Sequence, residues 1–176
     1  MRIIAGSRKG HRIAAPKGLA TRPTSDRVRE SAFNLIGPLE DASVLDLFAG
    51  SGALGLEALS RGAARATFVE SDRDACRTIN ANLDTLRLSG ARVLCQDALR
   101  FLAADRGRYD LILLDPPYDL VERLEPRFAA ALPRLLADDG LVVYETSSRQ
   151  EPSLPLAPRT SRRYGSVRLT LFEPLA

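Results

Sequence analysis

The residues with the clearest chemical potential form the tetrapeptide Asp115-Pro116-Pro117-Tyr118. Because proline has a fixed φ and no N–H, the Pro116 carbonyl can serve as a rigid acceptor beside the Asp115 carboxylate. Two such acceptors can hold both N–H bonds of an exocyclic nucleobase amine and direct its lone pair at a methyl donor. The Tyr118 ring offers a surface on which an unstacked base can lie, worth about 1–3 kcal/mol per base. The tetrapeptide therefore predicts a catalytic site for methylation of an aryl amine.

A simpler interpretation is that the tetrapeptide only ends a strand, since two prolines stop both sheet pairing and helix entry. That interpretation explains the prolines, but it explains neither the acid before them nor the aromatic residue after them. We therefore predict that Asp115 and Pro116 are acceptors and that Tyr118 is the stacking residue. No metal and no covalent enzyme intermediate are required.

A second motif has the spacing G-x-G-x-x-G at Gly50, Gly52 and Gly55, between a strand and a helix. Glycines allow a tight turn and close approach of a ligand to the backbone, and the helix N-terminus favours a negative group. Glu70 ends the next predicted strand, 20 residues after Gly50. A carboxylate there can accept from the 2′- and 3′-hydroxyls of a ribose, so the motif predicts an adenosine-containing cofactor.

These residues alone do not distinguish NAD from S-adenosylmethionine, because both carry a ribose. Asp46 lies in the strand before the glycines, where its carboxylate could meet the ammonium of a methionine moiety. Asp97 follows the third strand, where it could accept from the adenine amino group. Aspartates at strand ends also cap helices, so neither residue decides the question by itself.

The elements that must position these residues alternate from Ser43 onward. Apolar runs predict strands at 44–49, 66–70, 92–95, 111–114 and 141–145, with helices at 53–60, 73–87, 97–103 and 121–136. This alternation predicts an α/β fold with a doubly wound, mostly parallel sheet. Segments 159–164 and 166–172 flank Gly165 and predict a closing antiparallel hairpin.

The first 36 residues have a different pattern and predict an appendage to a domain at 37–176. Weak alternation around glycines predicts a small basic hairpin over residues 1–22. Turn and N-cap residues then precede a helix that ends near Ile36.

Positive charge is concentrated in this appendage. The chain carries +3, but residues 1–30 hold six Arg and two Lys against Asp26 and Glu30, so that segment carries +6 and the remainder −3. A basic segment on a slightly acidic body suggests a polyanionic partner, although a solvated basic tail would have the same composition.

Composition excludes several classes of protein. Apolar residues make up 45% of the 176 residues and charged residues 27%, as in ordinary soluble domains. No apolar run is long enough to span a membrane, and the N-terminal apolar stretch is too short for a signal peptide, so we expect a cytoplasmic protein. One histidine and two cysteines argue against a zinc site and a Ser-His-Asp triad.

Taken together, the motifs resemble one family. Residues 1–6 (MRIIAG), 22–30 (RPTSDRVRE), 45–58 (LDLFAGSGALGLEA) and 115–118 (DPPY) are similar to the bacterial RsmD-type enzymes. These are class I S-adenosylmethionine-dependent methyltransferases that modify N2 of guanine-966 in 16S ribosomal RNA. The tetrapeptide alone is less specific, because DNA adenine methyltransferases share it.

The resemblance implies a Rossmann-like seven-stranded sheet, S-adenosylmethionine as cofactor, no metal, and 16S rRNA as partner, in an assembly intermediate or the 30S particle, for a monomeric enzyme. The implied cofactor-binding residues are Asp46, Phe48, Gly50, Gly52, Glu70, Ser71, Asp97, Ala98 and Thr24. The basic hairpin would lie beside the pocket and grip RNA, through Arg8, Lys9, Arg12 and Arg22.

Three alternative functions stay open. A DNA adenine-N6 methyltransferase shares the tetrapeptide, and the preference for guanine depends on the resemblance, because the acceptor chemistry serves either amine. An NAD(P)-dependent oxidoreductase would need a catalytic Tyr-Lys or His near the pocket, whereas Lys9, Lys17 and His11 all lie in the basic arm. A non-catalytic RNA-binding factor would need a damaged motif, and both motifs are intact.

Overall fold

The computed structural model describes residues 1–16 and 25–176. A seven-stranded sheet with the order β3-β2-β1-β4-β5-β7-β6 forms the centre. Its strands are β1 (Ser43–Leu47), β2 (Arg65–Glu70), β3 (Ala91–Cys95), β4 (Tyr109–Leu114), β5 (Leu136–Ser147), β6 (Ala157–Tyr164) and β7 (Val167–Glu173). The α-helices are α1 (Asp26–Ile36), α2 (Ala53–Ser60), α3 (Arg73–Leu86), α4 (Ala98–Ala104) and α5 (Val121–Leu135).

The predicted fold class is confirmed. Strands β1 to β5 pair in parallel, and β7 pairs antiparallel with both β5 and β6. The predicted elements all occur, with shifted ends. The first strand stops at Leu47, because the backbone turns to a positive φ of 61° at Phe48. The fifth strand, predicted at 141–145, spans Leu136–Ser147 and begins directly where α5 ends.

Two hydrophobic clusters cover the two faces of the sheet. One contains Val44 with apolar residues of α1, α2 and α3, and the other contains Leu45 and Leu47 with residues of α4 and α5. Since side chains alternate along a strand, Asp46 points to the same face as Val44, toward α2.

Residues 1–14 form a short antiparallel hairpin, here called the N-terminal hairpin. The Ile3 amide donates to the His11 carbonyl at 2.9 Å, and a 3-10 turn at Gly6–Arg8 closes the loop. The hairpin is docked on α2: the fully buried Glu57 accepts from the amides of Ile4 at 2.8 Å and Ala5 at 2.9 Å. The predicted hairpin is therefore present over the part of residues 1–22 that the structure describes.

Gly6 shows how closely the hairpin packs. Its φ is +81°, and an added Cβ would lie 1.8 Å from the Ser60 carbonyl oxygen. Any side chain here would push the hairpin off α2. Within residues 1–16 and 25–176, no helix has both the length and the apolar character needed to cross a bilayer.

Candidate active site

The strand order reverses at β1, which lies between β2 and β4. In a doubly wound sheet, ligands bind in the crevice beyond the carboxyl ends of the strands at such a reversal. Asp46 lies in β1, Glu70 ends β2, Asp97 follows β3 and Asp115 follows β4. The structure therefore brings the predicted cofactor acids and the predicted catalytic acid to one edge of the sheet, here called the carboxyl edge.

The glycine turn connects β1 to α2 through residues with positive φ: 61° at Phe48, 55° at Gly50 and 79° at Gly52. A Cβ on Gly55 would lie 2.3 Å from the Phe68 ring, so this glycine is required for helix–strand packing. At Gly50 the nearest atom to an added Cβ is the Phe48 carbonyl oxygen at 4.0 Å. The backbone is thus open to a ligand at Gly50 and closed at Gly55.

Asp46 holds the start of α2. Its side chain is 1% exposed, and its Oδ2 accepts from the Gly55 amide at 2.9 Å. Burial, and to a smaller extent the charge of Glu70, raises the pKa of Asp46 to about 7, although the Gly55 hydrogen bond opposes the shift. The observed role is to support the turn, and the ammonium contact stays a prediction.

Glu70 accepts two backbone amides: Oε2 from Gly50 at 2.8 Å and Oε1 from Asp72 at 2.8 Å. This ties the end of β2 to the glycine turn of β1. Each carboxylate oxygen has a further lone pair for a ribose hydroxyl. The adjacent Ser71 is exposed at the same edge.

Asp97 caps α4, since its Oδ1 accepts from the Arg100 amide at 2.9 Å. The capping role considered for strand-end aspartates is therefore present here. Asp97 is also exposed, whereas Ala98 behind it is buried. Contacts of either residue with adenine stay predictions.

The tetrapeptide follows β4 directly. Asp115 and Tyr118 are half-buried, Pro116 is buried and Pro117 is exposed. Burial is the main cause that raises the pKa of Asp115 well above its usual range, and the carboxylates of Glu145 and Asp46 add to it. Asp115 is thus a desolvated carboxyl group at the crevice, where a hydrogen-bond donor from a ligand would stabilise its charge.

Two residues of this site were missed from the sequence, Glu145 and Gln150. Glu145 is 5% exposed, and its Oε1 accepts from the Tyr118 hydroxyl at 3.0 Å. The Gln150 amide nitrogen donates to the Tyr118 carbonyl at 3.0 Å, and its Oε1 accepts from the Ser147 amide at 3.1 Å. Tyr118 is therefore held at its hydroxyl by Glu145 and at its backbone carbonyl by Gln150. The available signal was an acid ending the apolar run 141–144.

The hydrogen-bond acceptors at the carboxyl edge fit S-adenosylmethionine. Carboxylates stand at the ends of four adjacent strands, β1 to β4, and the backbone at Gly50 is open. A cofactor with an ammonium, a ribose diol and an adenine amine would supply hydrogen-bond donors to such acceptors.

Of the predicted RNA-binding residues, Arg8 lies away from the site. The Arg8 side chain donates to the carbonyls of Leu86 and, at 3.2 Å, Arg87, at the C-terminal end of α3. Helix α3 begins just after Glu70 and has 14 residues, so Arg8 lies about 20 Å from the carboxyl edge. The tip of the hairpin is therefore not beside the pocket as expected, because its turn packs against the ends of α2 and α3.

Other parts of the hairpin come closer to the site. The Ala14 amide donates to Asn82 at 2.8 Å, and the Asn82 amide donates to the Ser51 carbonyl in the glycine turn at 3.2 Å. Lys9 and Arg12 are exposed, and their RNA contacts stay predictions. Thr24 and Arg22 lie outside the described residues.

Comparisons with known proteins identify related chains. The family described as "Conserved hypothetical protein 95" matches residues 1–173. The protein YlbH of Bacillus subtilis is 46% identical over 188 residues, covering 98% of each chain. The Escherichia coli protein named ribosomal RNA small subunit methyltransferase D is 41% identical over 165 residues, covering 90% of this chain and 79% of that protein.

Solved structures also match over the whole length. The structure of the Escherichia coli protein yhhF has a TM-score of 0.83 and 38% identity to this chain, and the match covers 99% of both chains.

Proposed function

This chain belongs to the family described as conserved hypothetical protein 95, and we propose that it methylates the N2 amine of a guanine in 16S rRNA, using S-adenosylmethionine. The main support is the placement of Asp115, with Tyr118 held against Glu145, at the strand reversal next to the glycine turn. The name of the Escherichia coli relative favours ribosomal RNA over DNA as substrate. The resemblance to the guanine-966 enzymes supports guanine over adenine.

The proposed chemistry starts with positioning. The lone pair of an exocyclic amine is delocalised into the ring, so the nitrogen is a poor nucleophile until it moves toward tetrahedral geometry. Asp115 and the Pro116 carbonyl each accept one N–H bond, which favours that geometry and directs the lone pair. When bound, S-adenosylmethionine supplies an electrophilic methyl group on a sulfonium sulfur. Holding the reacting groups in line provides much of the rate enhancement.

Asp115 also stabilises the positive charge that develops on the nitrogen during attack. Its pKa is raised by burial and by Glu145 and Asp46, so it can receive the proton that the amine nitrogen must lose. Tyr118, fixed by Glu145 and Gln150, supports the base from its face. A preorganised electrostatic group of this kind contributes about 10²–10³ in rate.

The proposed substrate is an exposed loop base in the 30S particle or an assembly intermediate, modified by a monomeric cytoplasmic enzyme. A loop base costs less to present than a paired one, which suits an enzyme that reads shape rather than duplex sequence.

The test is transfer of labelled methyl from S-adenosylmethionine to three substrates: immature small subunits, purified 16S rRNA and DNA. Mass spectrometry of the digested nucleosides should find N2-methylguanosine in ribosomal RNA. N6-methyladenine in DNA, without methylated rRNA, would support the alternative enzyme. An Asp115→Asn variant is the control for background transfer.

A further inference from the structure

We propose that the exposed arginines at the end of β6 and in the loop after β5 form an RNA-binding surface that holds the rRNA backbone beside the target base. The surface consists of Arg149, Arg162 and Arg163 and is called the β6 surface below. Because side chains alternate along a strand, Arg162 and Arg163 lie on opposite sides of this edge strand, with Arg163 on the side of Glu151 and Arg168. This inference rests on the proposed function, because it assigns the contact that presents RNA to the site.

The topology brings the β6 surface to the carboxyl edge. Both β5 and β6 pair antiparallel with β7, so β6 runs in the same direction as β5. The last residues of β6, Arg162 to Tyr164, therefore lie at the edge where β4 delivers Asp115. With the order β4-β5-β7-β6, three strand spacings separate them, or about 14 Å.

The charge of this region is strongly positive. Residues 147–151 and 160–168 contain four arginines, of which Arg168 is buried, and one acid, Glu151. Glu151 pairs with the buried Arg168 at 3.3 Å and lies 3.8 Å from Arg163. Among the ion pairs of residues 1–16 and 25–176, none joins Arg149 or Arg162 to a carboxylate. Exposed guanidinium groups without carboxylate partners are suited to bind phosphate.

The loop that carries Arg149 is fixed between the catalytic tetrapeptide and the β6–β7 turn. On one side Gln150 donates to the Tyr118 carbonyl at 3.0 Å. On the other side the Ser148 amide donates to the Ser166 carbonyl at 2.8 Å, and Arg168 donates to the Ser148 carbonyl at 3.2 Å. A phosphate bound at Arg149 would therefore have a defined position relative to the Tyr118 ring.

A competing explanation is that charges on β6 only prevent edge-to-edge pairing, because β6 is an edge strand. Arg159 separates the two explanations. It is exposed on the same strand but near the opposite end, where it lines a cleft with Asp138, Asp139 and Glu173. If the arginines only prevented pairing at the edge, Arg159 would serve as well as Arg162. If they bind RNA beside the site, Arg159 would not contribute, because it lies near the opposite end of the strand.

The experiment compares two double variants that lose the same charge. Arg162→Gln with Arg163→Gln removes two arginines of the β6 surface. Arg65→Gln with Arg159→Gln removes two exposed arginines at the amino ends of β2 and β6. Affinity for purified 16S rRNA is measured by fluorescence anisotropy at several salt concentrations, and methyl transfer to the same RNA gives KM and kcat.

The β6 double variant should lower the slope of log affinity against log salt by about 1.4–1.8, since each lost phosphate contact removes about 0.7–0.9. KM for RNA should rise by tenfold or more, with binding of S-adenosylhomocysteine unchanged in calorimetry. The control double variant should keep the wild-type slope and KM. Arg162→Lys with Arg163→Lys should restore most of the slope, which shows that the charge and not the fold was lost.

Equal slopes of log affinity against log salt for the two double variants would overturn the proposal that the β6 surface binds RNA. If the wild-type protein methylates rRNA in that experiment, the proposed function still stands. If the wild-type protein transfers no methyl group to any form of rRNA, the proposed function itself fails. The two failures are therefore distinguishable.

Discussion

The two halves of the carboxyl edge hold their acids in different ways. At the ends of β1, β2 and β3, the carboxylates of Asp46, Glu70 and Asp97 each accept at least one backbone amide. At the ends of β4 and β5, Asp115 and Glu145 are brought together, and the pKa of Asp115 is raised well above its usual range by burial and by neighbouring acids. The acids at the ends of β1, β2 and β3, here called the cofactor half, are held by backbone amides. In the other half, Asp115 is a desolvated carboxyl group that can accept hydrogen bonds from a substrate.

This difference suits the two ligands that we propose, S-adenosylmethionine and an RNA base. A cofactor that binds in every cycle benefits from acceptors already fixed in place. A substrate amine brings two N–H donors and develops positive charge, so it gains most from a desolvated carboxyl group. The following predictions test the contrast, from the largest expected effect to the smallest.

Asp115→Ala should lower turnover by about 10²–10³, because it removes a preorganised acceptor from the reacting amine. Binding of S-adenosylhomocysteine, measured by calorimetry, should be nearly normal, because the cofactor half is intact. Asp119→Ala, which removes an exposed acid four residues later, is the control and should keep its turnover. Equal losses of cofactor affinity and rate in Asp115→Ala would remove the distinction between the halves.

Asp46 should make the free energy of unfolding depend on pH. Its pKa is raised in the folded state from 3.8 to about 7, so between these values the folded state binds more protons than the unfolded state. Stability should therefore fall by a few kcal/mol as pH rises from about 4 to 7. Asp46→Asn keeps an acceptor for Gly55 and should reduce this dependence in urea unfolding series, leaving the part that arises from the raised pKa of Asp115. An unchanged slope would show that Asp46 does not carry it.

Glu70→Ala should weaken cofactor binding by about 1.5–3 kcal/mol, the usual loss for hydrogen bonds to a charged group. Calorimetry with S-adenosylhomocysteine measures this loss directly. The maximal rate at saturating cofactor should change much less, because Asp115 and Tyr118 remain. Unaltered affinity would place the ribose away from Glu70.

Tyr118→Phe keeps the ring but removes its 3.0 Å hydrogen bond to Glu145, and should cost about 0.5–1.5 kcal/mol in kcat/KM for RNA. Tyr118→Ala also loses base stacking and should cost about 1–3 kcal/mol more. Neither variant should alter cofactor affinity. A loss in Tyr118→Phe as large as that in Tyr118→Ala would mean that the hydrogen bond to Glu145, and not stacking on the ring, accounts for the contribution of Tyr118.

Glu145→Gln should move the pH profile while largely preserving the maximal rate. Turnover requires ionised Asp115, so the rate falls as pH falls through its raised pKa. Removing the nearby negative charge lowers the pKa of Asp115, and the acid limb should shift to lower pH. Asp139→Asn, an exposed acid at the amino end of β5, is the control and should leave the profile in place. An unchanged pH profile of turnover in Glu145→Gln would mean that Glu145 only orients Tyr118.

Much of the fold, and the placement of the acids at the ends of β1, β2 and β3, could be predicted, because the signals are local. Apolar runs and their spacing identify strands and helices, and parallel strands deliver the residues after them to one edge. Asp46, Glu70, Asp97 and Asp115 each lie in or just after a predicted strand. The family resemblance, confirmed by the match over residues 1–173, depends on motifs of the same kind.

The sequence by itself thus determined which residues follow which strand, since each motif is contiguous with the element that carries it. Only the tertiary structure decided which distant residues meet. Glu145 reaches Tyr118 across 27 residues, and Arg8 reaches Leu86 across 78. The order of β5, β7 and β6 brings Arg162 to the carboxyl edge. Such contacts arise from strand order and helix packing, which minimise exposed apolar surface over the whole chain and leave no local pattern.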